Sequence, residues 1–143
     1  MRKVKEYYAI QSLINIKLDI KTNGSPLFGY ADSGKGKSFY LNSCKNIRHI
    51  SVLELSPKLG PRGRHYHKTK LEMIYVISGK AVLKLWLPIP QFNIEEEIIK
   101  KNDFIIIRPG VVHEFKAIEP TMLLETSPNS FNLADNFYPE PMK

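Results

Sequence analysis

Proline and glycine interrupt this chain so often that only short elements fit between them. Gly24, Pro26, Gly29, Gly34, Gly36, Pro57, Gly60, Pro61, Gly63, Gly79, Pro88, Pro90, Pro109, Gly110, Pro120 and Pro128 bound short runs rich in Ile, Val, Leu, Tyr and Phe. Short β-prone runs between turn signals describe an all-β sandwich or barrel. The runs predict strands over 39–41, 47–55, 71–77, 81–87, 94–99, 104–108, 112–117 and 122–126, with a tight turn at Ser78-Gly79-Lys80. Residues 22–38 read as a long loop. The tail from Ser130 reads as a short helical turn followed by an extended end. No repeat or linker divides the 143 residues, so one domain is expected.

Several classes of function are disfavoured at this stage. No apolar run approaches the ~18 residues of a membrane span. The N-terminal stretch MRKVKEYYAI lacks the apolar segment of a signal peptide. A single cysteine, Cys44, excludes an intrachain disulfide and fits a reducing, cytoplasmic setting. The formal charge of +7 is uneven: residues 1–70 carry 14 Lys and Arg against 4 acids, and the remainder 7 against 10. A basic half suits an anionic partner. No zinc finger, RNA-binding signature or long basic helix accompanies it, so nucleic acid is not the expected one.

The chain holds only four histidines, and His65 and His67 sit one residue apart. Residues i and i+2 of a strand point the same way, so both imidazoles can touch one ion. Glu72 opens the next apolar run and shares a face with Ile74 and Val76, which aims its carboxylate toward a core. A carboxylate there needs a cation or hydrogen-bond donors. Neutral imidazoles with a carboxylate suit a divalent transition ion.

The spacing His65-x-His67, four residues, Glu72, six residues, Gly79 resembles the first motif of the cupin family, with Gly60 upstream. The run NDFIIIRPGVVHEF resembles the second motif, supplying Gly110-x-x-His113. The likeness covers about residues 45–127. It implies a double-stranded β-helix (jelly-roll) barrel over 39–127, an N-terminal strand and loop extension over 1–38 packed on it, and a C-terminal tail over 128–143. It also implies four metal ligands, His65, His67, Glu72 and His113, the last arriving from the opposite side of the barrel. Zinc, manganese, iron or nickel would each fit such a set. Asn102, Arg108 and Ala117 depart from the family pattern at turns or around the ligands, and Arg108 is expected to alter the mouth of the site.

Further candidates surround the quartet. Arg62 and Arg64 flank the first ligand, and arginine binds phosphate and carboxylate through paired N–H groups. Phe115 shares the His113 face and is a candidate cavity wall; Glu125 is a candidate inward carboxylate. Trp86 is a candidate dimer contact, and His49 is expected on a strand surface. Arg-Gly-x-His-x-His is similar to the opening of cupins that isomerise or epimerise nucleotide-linked keto-sugars, which implies a sugar phosphate or nucleotide sugar as substrate and a homodimer. In a metal-free enzyme His65 or His67 would be the base, a role that competes with ligation. Tyr66 and Tyr75 face away from the ligands and make poor acids. Two alternatives stay open: an Fe(II)-dependent dioxygenase, and a cupin that binds a small molecule without turning it over.

Overall fold

The computed structural model describes residues 3–4, 8–12, 28–32, 35, 37–41 and 46–139. Twelve strands follow in chain order: β1 (Lys3–Val4), β2 (Tyr8–Ser12), β3 (Phe28–Asp32), β4 (Lys37–Leu41), β5 (His49–Leu55), β6 (Arg62–His65), β7 (Glu72–Ser78), β8 (Lys80–Trp86), β9 (Glu95–Lys100), β10 (Asp103–Ile107), β11 (Val112–Ala117) and β12 (Thr121–Ser127). Among the described residues a 3-10 turn, Leu133–Asp135, lies in the tail. The expected strands from residue 47 onward are all present. β6 was not among them, because Arg-Gly-Arg-His has no apolar alternation.

One sheet has the order β1-β2-β10-β7-β12-β5 and a second β6-β11-β8-β9. All pairings within both are antiparallel. From β5 to β8 the chain alternates between the sheets, and it does so again from β9 to β12, which is the jelly-roll arrangement of an all-β fold. The loop expected over 22–38 lies partly outside the described residues. Within them, β3 and β4 pair as a separate two-stranded hairpin, and β4 straddles the boundary expected at residue 38.

Alternation decides what each strand buries. On β8, Ala81, Leu83 and Leu85 are fully enclosed, and they meet Ile74, Val76, Ile105, Ile107 and Leu123 from the facing sheet. Each of these leucine, isoleucine and valine side chains contributes roughly 1.5–3 kcal/mol of burial. This apolar filling leaves the end of the sandwich at β6, β11 and the start of β7 for polar groups. Trp86, expected at a dimer contact, is instead 2% exposed and stacked on Phe92 within the chain. The last residue of β8 is covered locally and cannot serve as an exposed anchor.

The turn between β7 and β8 is closely fitted. Gly79 has φ +87°, and a Cβ there would lie 2.2 Å from the Pro120 carbonyl oxygen. Lys80 N–H and the Lys80 carbonyl both engage the Thr121 hydroxyl beside it. Asn102, a departure from the family glycine, has φ +72° at the β9–β10 turn, a conformation asparagine tolerates better than most residues. We expect Gly79→Ala to lower stability by at least ~3 kcal/mol in urea unfolding, because strain and backbone clash add; a loss below ~1 kcal/mol would show that the turn rearranges freely.

Candidate functional site

A cavity of about 450 Å³ opens at the polar end of the sandwich. Its walls come from His49 and Leu53 of β5, Arg62 and His65 of β6, Glu72 of β7, His113 and Phe115 of β11 and Glu125 of β12. His65, His67, Glu72 and His113 each offer a ligand atom, and these atoms lie within 4.8 Å of one another. Three of the four are buried and His65 is half-buried.

The route by which they meet differs from expectation in one respect. His113 does not come from the opposite side: β11 is the neighbour of β6, and His113 is paired directly with His65. It is Glu72, on the facing sheet, that crosses the gap. The hydrogen-bonding order of the sheet, which spacing does not encode, is the reason.

Each inner imidazole is anchored through Nδ1. His67 Nδ1 lies 2.9 Å from the Asp135 carbonyl oxygen and His113 Nδ1 3.1 Å from that of Val111. A carbonyl only accepts, so Nδ1 carries the hydrogen in both rings. Nε2 then faces Glu72, at 3.1 Å from Oε1 for His67 and 2.9 Å from Oε2 for His113. In a neutral ring that nitrogen is a lone pair aimed at a carboxylate. A positive centre belongs between them, either a second ring proton or a metal ion. Glu72 Oε2 is buried and forms no hydrogen bond of good geometry, despite the close approach of His113. The donor types, the carbonyl-anchored rings and this orphaned oxygen fit a divalent ion.

Electrostatics separate the groups. Burial works against the Glu72 carboxylate, but His113 and then His67 outweigh it and hold its pKa well below the usual range. Burial likewise opposes charge on His113, and the Glu72 carboxylate reverses that, raising its pKa. His65 has no carboxylate in contact. Burial, with His113 and His67 nearby, lowers its pKa to about 4. Its ring centroid is 4.9 Å from each of the other two, and it makes no hydrogen bond among the described residues.

The two arginines part company. Regular alternation would put Arg62 and Arg64 on one face and His65 on the other. Gly63 and Arg64 both have positive φ, 101° and 59°, and the pairing with β11 shifts register there. This bulge turns Arg62 to the cavity with His65 and sends Arg64 outward, where its Nε donates to Glu114 Oε2 at 2.9 Å. Phe115 and Glu125 line the cavity. Tyr66 stacks on Phe137, and the Tyr75 hydroxyl donates to Asn102 Oδ1 at 2.6 Å; neither lines the cavity. Arg108 lies in a separate cleft with Arg48.

Three residues of the site had no sequence signal. Lys70 is buried, its ammonium bonded to Glu125 Oε1 and 3.4 Å from Glu72 Oε1. His49 lines the cavity instead of the surface, 3.8 Å from Glu125. Asp135 is buried in the tail. Its carboxylate accepts from the backbone N–H groups of Lys68, Thr69 and Lys70 and from the Thr69 hydroxyl, fixing the loop that carries His67. Only Glu125 among these partners was flagged by strand alternation.

Residues 51–126 match the family described as Cupin domain. No curated protein sequence matches. Among solved structures, the chain is similar to a 3,4-ketoisomerase from Helicobacter canadensis, at 18% identity over 91% of this chain and 89% of that one, with a TM-score of 0.69. It is also similar to a sugar 3,4-ketoisomerase from Thermoanaerobacterium thermosaccharolyticum in complex with TDP, at 16% identity over 94% and 89%, TM-score 0.68. A third is a 3'-monoepimerase variant from Streptomyces bikiniensis in complex with dTDP, at 10% identity over 92% and 68%, TM-score 0.69. At these identities the likeness is one of fold.

The low pKa of His65 has a measurable consequence. Its folded value of about 4 lies below the ordinary 6.5, so between these the unfolded chain binds more protons. His65 therefore contributes stability above about pH 6.5 that is lost as pH falls toward about 4. In chelator-treated protein, NMR should find the His65 ring titrating near pH 4, and the urea midpoint of His65→Asn should fall less steeply across this window than that of the native chain. Parallel midpoint curves would contradict the assignment.

Proposed function

This chain belongs to the cupin family, and from that premise we propose that it is an isomerase or epimerase that moves a proton beside the carbonyl of a nucleotide-linked keto-sugar. The observation that carries the reading is His65. It is an imidazole with no hydrogen bond among the described residues, half-buried in the cavity wall, with Arg62 at the same wall. His67, by contrast, has both ring nitrogens engaged, so of the two it is the poorer base.

In this reading Arg62 holds the diphosphate through paired N–H groups. Phe115 packs against the sugar ring. His65 removes the hydrogen beside the carbonyl; the C–H electron pair forms a carbon–carbon double bond and the carbonyl pair moves onto oxygen, giving an enediolate. Protonating that oxygen and returning the His65 proton to the former carbonyl carbon, as the neighbouring hydroxyl becomes the ketone, exchanges the two groups. Returning a proton to the original carbon on its other face inverts it instead. Both outcomes conserve atoms and need no oxidant. The quartet His65, His67, Glu72 and His113 would hold a divalent transition ion (zinc, manganese, iron or nickel), and such an ion would polarise the carbonyl. His65 cannot hold that ion and take the proton at once.

The structural neighbours support the substrate class, since a variant of the Thermoanaerobacterium ketoisomerase is known in complex with TDP-4-keto-6-deoxyglucose. Incubated with that sugar nucleotide in D₂O, the native chain should incorporate deuterium beside the carbonyl. We expect His65→Asn to slow exchange by about 10³-fold, and Arg62→Gln to raise KM about tenfold with little change in kcat. Absence of exchange across a panel of nucleotide-linked keto-sugars would remove the reading.

A further inference from the structure

Among the described residues, Lys70 is the one buried cation of the cavity wall that neither the ligand motif nor the mechanism uses. Its backbone N–H is held by the Asp135 carboxylate, and its side chain runs into the cavity toward Glu72 of β7 and Glu125 of β12. There the ammonium bonds Glu125 Oε1 and approaches Glu72 Oε1 at 3.4 Å, with 8% of the side chain exposed. Glu72 Oε1 is the same oxygen that faces His67 Nε2. A metal ion at the quartet would need that carboxylate and would stand within a few ångströms of an enclosed ammonium. Like charges in a poorly solvated site repel far more than in water.

We propose that Lys70 is a built-in competitor of divalent metal ions: it occupies Glu72 and biases the quartet toward its metal-free state, which leaves His65 open as a base. Glu125 is the counterweight that draws Lys70 away from Glu72, and His49 Nε2 lies 3.8 Å from the same Glu125 oxygen. The inference deepens the isomerase reading, because it names what resolves the conflict between ligation and proton transfer at His65. Its test needs no sugar, so failure of turnover and failure of this inference are separate results.

The two members of the pair make opposite predictions. A purely structural ion pair would weaken the site whichever partner was removed. A competitor and its counterweight would not behave alike. Chelator-stripped native protein, Lys70→Met and Glu125→Gln would each be titrated with Zn²⁺ against a chromophoric chelator, with a thermal melt to verify folding. Lys70→Met should bind Zn²⁺ at least ~10-fold more tightly than the native chain. Glu125→Gln should bind it more weakly, because Lys70 then has Glu72 alone. If Lys70→Met does not fold, the charge-balanced double variant Lys70→Met/Glu125→Gln takes its place and should also bind more tightly than native. Zinc binding in the Lys70 variants that is equal to or weaker than native, or absent from both, overturns the proposal.

Discussion

The buried carboxylate of Glu72 is the constraint around which this site is arranged. It is 3% exposed at the start of β7, at the edge of a sandwich whose interior is largely aliphatic. Left alone there, a charged carboxylate would be strongly unfavourable. His67, His113 and Lys70 answer it, from the loop after β6, from β11 and from the loop before β7. β7 and β11 belong to different sheets, so the polar cluster ties the sheets together at one end while Leu83, Leu85, Ile105 and Leu123 do so in the interior. Such clusters add little net stability over a hydrophobic filling, yet removing one partner leaves the rest exposed to the full desolvation penalty, of order 3–5 kcal/mol. The apolar core therefore carries the fold, and the cluster is tolerated at its edge.

How much of this was readable in advance depends on whether the information is local. The quartet was legible because alternation and fixed spacing are local properties, and four donors at cupin spacing name each other. The strands from residue 47 onward were legible for the same reason. Arg62 and Arg64 show where the logic stops. Two consecutive positive φ values at Gly63 and Arg64 reverse the alternation, and only glycine permits the first, since a Cβ there would lie 2.7 Å from the His113 carbonyl oxygen. A strand read with period two has no means of anticipating that shift.

Lys70, His49 and Asp135 were invisible for a different reason. Their partners are distant in sequence: Lys70 meets Glu125 across 55 positions, and Asp135 meets Lys68 across 67. No periodicity reports such contacts. Asp135 also lies beyond the segment that matches the family, residues 51–126. The tail nevertheless completes the site. The Asp135 carbonyl sets the His67 tautomer, and Phe137 pairs with Tyr66 through two backbone hydrogen bonds while Lys68 sits over its ring. The family segment supplies the donors, and the tail fixes how one of them is presented.

Charge explains why three similar imidazoles behave differently. In the buried cluster Glu72 and Glu125 contribute two negative charges and Lys70 one positive, with the exposed Arg62 on the same wall. A proton in the cluster is best held by His113, whose Nε2 is set against Glu72 and whose Nδ1 is backed by the Val111 carbonyl. A further proton on His65 would find no carboxylate in contact and two imidazoles nearby, so that ring stays neutral near pH 7, consistent with its pKa of about 4. The motif pair Glu72 and His113 sets most of that balance, and two residues outside the motif adjust it: Glu125 raises the pKa of His113 and Lys70 lowers that of His65.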